Sequence, residues 1–165
     1  MNKAEFLDAL QSGRAEWEAL LSEVGEVRMT VPGVAGQWSV KDIVAHVTWA
    51  EREMVGIMQA RALVGSDLWD LSQDERNDAI FADNRGRPLQ EVLDESQQVY
   101  TQYLAGIQGL SDADLADASR FQEMPAEWIP WEMLASNCFE HYQQHIPAIR
   151  AWLDTDPRNG TEHMQ

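Results

Sequence analysis

The run Ser39-Val40-Lys41-Asp42-Ile43-Val44-Ala45-His46-Val47-Thr48-Trp49-Ala50-Glu51-Arg52-Glu53-Met54-Val55-Gly56-Ile57-Met58 reads as one amphipathic helix. Ser39 followed by Asp42 is a capping-box-like start, and the acid also suits the positive end of a helix. Val40, Ile43, Val44, Val47, Ala50, Met54, Ile57 and Met58 then recur at three- and four-residue spacing, the period of one helix face, and the pattern predicts a helix ending near Gly65. Outward from this segment the same period repeats. Phe6, Leu7, Leu10, Trp17, Leu20, Leu21 and Val24 predict a helix over Lys3 to Val24, closed by Gly25. Leu89, Val92, Leu93, Val99, Tyr103, Leu104 and Ile107 predict another, opened by Pro88 and running to Gly109. A last helix opens at Pro130 and runs through Leu134, Phe139, Tyr142, Ile149 and Trp152, with a bend expected at Pro147. The pieces between are Gly- and Pro-bearing or polar: Glu26 to Trp38 reads as a loop, and Asp67 to Arg87 as a polar connection with one short helix around Asp78–Phe81. Four long helices with three connections, none a tight hairpin, predict an all-α four-helix bundle over residues 1–155 and a polar tail over residues 156–165.

Composition narrows what such a bundle does. The 165 residues are 44% hydrophobic and 24% charged, a globular balance rather than a disordered one. Twelve Lys and Arg against 28 Asp and Glu leave a formal charge of −16, a field that repels phosphate and argues against nucleic-acid or anionic-membrane partners. One cysteine, Cys138, excludes an intramolecular disulfide and a cysteine-only zinc cage. The start, Met1-Asn2-Lys3-Ala4-Glu5, carries no apolar signal stretch, so a soluble cytoplasmic protein is expected.

Of the four histidines, His163 falls in the polar tail and is set aside. His141 and His145 are four apart on the last helix and point from one face, the spacing by which two imidazoles bind one metal ion. Tyr142 stands where a zinc protease would carry its glutamate, so that motif is not met. At about 100° per residue, His46 lies at the edge of the second helix's apolar stripe, with Asp42, Trp49 and Glu53 on its far side. It either reaches a groove between helices or is a boundary histidine hydrogen-bonded to Asp42 or a carbonyl. One and two histidines from two helices give three nitrogen ligands, the number a catalytic metal site uses while keeping an open position. Cys138, one turn before His141, is a fourth ligand, a redox-sensitive neighbour or a small buried hydrophobe. Asp42 either orients His46 or serves the helix start.

Two segments carry a family resemblance. Gln37-Trp38-Ser39-Val40-Lys41-Asp42-Ile43-Val44-Ala45-His46-Val47 resembles the second-helix start of the DinB/YfiT-like superfamily, and Glu140-His141-Tyr142-Gln143-Gln144-His145 resembles its fourth-helix H-x-x-x-H. The stretch from Asn77 to Leu93 is similar to the ClbS/DfsB-type branch. The resemblance implies an up-down-down-up four-helix bundle and a divalent metal, nickel or zinc, held by His46, His141 and His145. It implies enzymes that transfer a low-molecular-weight thiol, of bacillithiol or mycothiol type, to a reactive small-molecule substrate, or hydrolyse one, in detoxification. Arg52 and Arg85 are the expected holders of the thiol's acidic groups. The ClbS/DfsB-type branch implies instead a metal-independent self-resistance hydrolase or binder of a reactive natural product. A non-catalytic dimeric interaction module stays open beside these, and homodimers are common among relatives. Metal binding is expected to weaken below about pH 6, since imidazole must be neutral to coordinate.

Overall fold

The computed structural model describes residues 1–155, so the predicted tail and His163 lie outside the described residues. Helix α1 (Lys3–Val24) starts at a capping box between Asn2 and Glu5 and stops at Gly25, whose φ of 73° lies in the left-handed region that glycine adopts without strain. Helix α2 (Val40–Ala60) begins at the predicted Ser39–Asp42 capping box. It ends five residues short of Gly65, at a left-handed Arg61. The chain there turns into a bridge with Gln122: Leu63 N–H donates to the Gln122 carbonyl at 2.7 Å, and Gln122 N–H to that of Arg61 at 2.9 Å.

The connection after α2 is more ordered than its polarity suggests. A 3-10 turn (Asp67–Asp70) leads into α3 (Gln73–Asn84), a helix of three turns begun by a Ser72–Glu75 capping box. Helix α4 (Leu89–Gln108) follows Pro88 as expected. A short α5 (Asp112–Ala116) and a 3-10 turn (Ala118–Arg120) lead to the predicted last helix, which is two. Helix α6 (Pro130–Ser136) stops where the Asn137 amide donates back to the Met133 carbonyl at 2.9 Å, and α7 (Phe139–Thr155) starts afresh. That side-chain competition with the helix ladder is the physical reason for the break. Helix α7 runs on through Pro147.

Helices α2 and α4 pack along each other, as do α1 and α7, and α2 also meets α7, closing a four-membered bundle. Phe6, Leu10, Trp17, Leu20, Ile43, Val47, Tyr103, Ile107 and Ile149 fill its centre. Trp17 stacks on Tyr142 with ring centroids 5.2 Å apart, and Gly13 lets α1 approach α7 so closely that a Cβ there would sit 2.9 Å from the Cβ of Phe139. Every residue of α2 from Val40 to Glu51 is buried, beyond what one apolar stripe predicts. The second face is covered by α3, whose Ile80 packs on Trp49 and Ala50. Lys41 ties this cover down, its ammonium donating to the Arg85 and Arg87 carbonyls at 2.9 and 2.7 Å, just past the C-terminal end of α3 where a cation is favoured. Among the described residues no helix is long and apolar enough to cross a membrane.

Candidate metal centre

Helix α2 presents His46 where it faces α7, and the α6–α7 break sets the direction from which α7 presents His141 and His145. Their Nε2 atoms meet: His46 Nε2 lies 3.0 Å from His141 Nε2, which lies 3.1 Å from His145 Nε2. Ligand atoms of all three lie within 4.8 Å of one another, a group that can hold a metal ion. His46 is buried, and His141 and His145 are half-buried.

Proton bookkeeping tests whether a cation fits. Burial first, then neighbouring charge, lowers the His46 pKa from 6.5 to about 4; the charges are His145 and Arg76. Burial together with His46 and His145 lowers that of His141 to about 3, and burial lowers that of His145. All three are therefore neutral at pH 7, as a metal ligand must be, and proton competition at His46 and His141 sets in below the pH 6 expected from an ordinary imidazole. A neutral imidazole has one N–H and one lone pair. The Nδ1 atoms of His46 and His141 are buried without a hydrogen-bond partner among the described residues. One cation at the meeting point would take all three converging Nε2 lone pairs, each ring then carrying its proton on Nδ1. A tetrahedral ion with bonds of about 2.05 Å needs ligand nitrogens about 3.3 Å apart, so the pairs at 3.0 and 3.1 Å have to spread by only a few tenths of an ångström, while the ligand atoms of His46 and His145 lie within 4.8 Å of each other.

The remaining predicted residues separate from this centre. The Asp42 carboxylate accepts from Ser39 N–H and Ser39 Oγ, both at 2.8 Å, and so belongs to the helix cap rather than to His46. His46 is steadied by ring packing instead: Trp38 meets it edge-on at 5.3 Å and stacks on Phe81 behind. Trp49 is buried against Trp69, centroids 5.0 Å apart. Glu53 accepts from Ser66 N–H at 2.8 Å and from the Trp69 indole at 3.3 Å, which fixes the 67–70 turn against α2. Of the two expected thiol-holding bases, Arg52 pairs with Glu95, and Arg85 lies 5.6 Å over the Phe81 ring. Cys138 is not part of the histidine cluster: it is fully buried, its thiol donating to Glu51 Oε1 at 3.3 Å. Burial and the Glu51 charge push that thiol well above its usual range, so it is no thiolate ligand.

Two features went unread in the sequence. Glu51 accepts from the Tyr142 hydroxyl, which accepts in turn from Arg14 at 3.0 Å, and Arg14 also donates to Ser96 Oγ at 3.1 Å. The signal was present, since Arg14 falls on the apolar stripe of α1 between Leu10 and Trp17, and Glu51 on that of α2 between Val47 and Met54. The second is a cavity of about 480 Å³ between the C-terminal part of α2, the loop that follows it and α6, bounded by Met54, Met133 and Asn137 among others. Its lining comes largely from the loop after α2 and the segment before α6, where no helical period marks a site.

A helical bundle that turns three neutral imidazoles from two helices onto one point carries a candidate three-histidine metal site between its helices. The chain belongs to the DinB superfamily, whose family model matches residues 9–149. The fold is shared with an uncharacterised protein from Escherichia coli UTI89, at 17% identity, a TM-score of 0.77 and 94% coverage of both chains. No curated protein matches the chain.

Proposed function

We propose that the protein is a divalent-metal-dependent enzyme acting on a reactive small molecule, with His46, His141 and His145 as ligands and nickel or zinc as the ion. The observation that supports this most is the meeting of three neutral Nε2 atoms, carried by two helices, at one point. When bound, an ion held by three histidines supplies an open position at which a thiol or water becomes a nucleophile near neutral pH. The chain contributes the rest. Burial keeps the imidazoles unprotonated, Trp38 and the neighbouring rings hold their planes, and α3 shields one side of the centre from water. A low-molecular-weight thiol of the bacillithiol or mycothiol type is the proposed cofactor, because soft thiolates suit nickel and zinc. Arg76 takes the role expected of Arg52 and Arg85: its charge acts on His46, and among the described residues it forms no ion pair.

Metal analysis of untagged protein, followed by thiol conjugation of a generic electrophile with and without chelator, tests the reading. About one ion per chain is expected, together with conjugation that chelation abolishes, metal restores and His141→Ala removes. Turnover of the electrophile without thiol that survives exhaustive chelation would refute it in favour of a metal-independent self-resistance hydrolase.

A further inference from the structure

The cavity past the histidines has its own chemistry. Met54, eight residues after His46 on α2, lies about 12 Å farther along the helix axis, and none of the three histidines lines the cavity, so the two places are separate. Its volume of about 480 Å³ is that of a small-molecule site. The walls are apolar and polarisable, with Met54 and Met133 inside and Trp69 and Trp128 at the opening. Trp128 is 41% exposed, and its ring has no aromatic or cationic partner among the described residues. Its indole face is therefore open to a ligand in the cavity.

Charge says what covers it. Two charged side chains line the cavity, Asp67 and Asp70; both are exposed, and neither forms an ion pair among the described residues. No lysine or arginine is in the lining. Arg76 sits 4.8 Å over the Trp69 ring and is bridged to neither aspartate, so Trp69 already holds a guanidinium and Trp128 is the ring left open. A chain of charge −16 further enriches cations at its surface and depletes anions. Aromatic faces with adjacent carboxylates are the arrangement that recognises alkylated ammonium groups.

We propose that this cavity binds a cationic small molecule with an apolar or aromatic body, an alkyl- or arylammonium compound, its hydrophobic part between Met54 and Met133 and its charge at Trp128, Asp67 and Asp70. The site does not depend on the metal reading, and its test is run in chelator, so failure of one leaves the other standing. Calorimetric titration of the full chain with phenyltrimethylammonium, its neutral isostere tert-butylbenzene and the anion benzoate measures the preference. The cation is expected to bind roughly fivefold or more tightly than the isostere, with benzoate weakest. Asp67→Asn/Asp70→Asn should bring cation and isostere within about twofold while leaving isostere binding intact, which also reports that the variant is folded. Trp128→Ala should weaken both by roughly fivefold. Equal or tighter binding of isostere or benzoate, no binding of any probe, or a cation preference that survives loss of both aspartates would overturn the proposal.

Discussion

Acidifying the metal-free protein from pH 7 to pH 5 should cost it stability through the imidazoles that meet at Nε2. Folding lowers the pKa of His46 from 6.5 to about 4 and that of His141 to about 3. Between the folded and unfolded values the unfolded chain binds the extra proton, so stability rises with pH in that window and is lost as pH falls. The loss starts near pH 6.5 and is complete only below the folded values. Over the two pH units from 7 to 5, each of the two histidines gives up about 2 kcal/mol, or about 4 kcal/mol together as an upper figure. Glu51, whose carboxyl burial raises, acts in the opposite direction. It is common to wild type and variant and cancels in the comparison. Urea unfolding in chelator at the two pH values, on wild type and on His46→Gln/His141→Gln, isolates the effect. Wild type should lose several kcal/mol more than the double variant. Equal losses would refute the claim that these rings are held neutral by burial and by each other.

Gly13→Ala should destabilise by a net of about 1–2 kcal/mol in the same assay, because the methyl group's clash with Phe139 outweighs the gain in helix propensity. Cys138→Ala should leave metal stoichiometry unchanged while costing about 1–2 kcal/mol for a lost buried donor to Glu51, as metal analysis and unfolding would show. Asp42→Ala should cost about 1 kcal/mol at the α2 cap yet leave metal affinity within about twofold, measured by competition with a chromophoric chelator.

The helices were legible wherever an apolar stripe met a capping signal. Ser39, Gly25 and Pro88 marked ends that the structure places within a residue or so. Helix α3 was underread because only Ile80 is buried in it, too little to set a period. The α6–α7 break was missed because the stripe through Leu134 and Phe139 continues across it, while the interruption comes from one amide, that of Asn137. At the site, spacing showed that His141 and His145 share a face and that His46 stands at an edge. It could not show which neighbours turn toward them. Asp42 had a nearer partner in Ser39, Glu53 one in Ser66, and Cys138 one in Glu51. Each local hydrogen bond outbid the longer reach to the histidines, and such competition is settled in three dimensions.

The cover that α3 lays over α2 is held by few contacts: one buried side chain of its own, the Trp38–Phe81 stack, two carbonyl contacts from the Lys41 ammonium, and the Glu53 hydrogen bonds and Trp49–Trp69 packing at the preceding turn. The bundle beneath carries a continuous core. A segment so lightly fastened to so firm a base detaches as a unit at a free energy well below that of global unfolding. Residues 67–84 therefore behave as a small foldon of their own, and substitutions there can retune how often the outer side of His46 and Trp49 meets solvent while leaving the melting point of the bundle almost untouched.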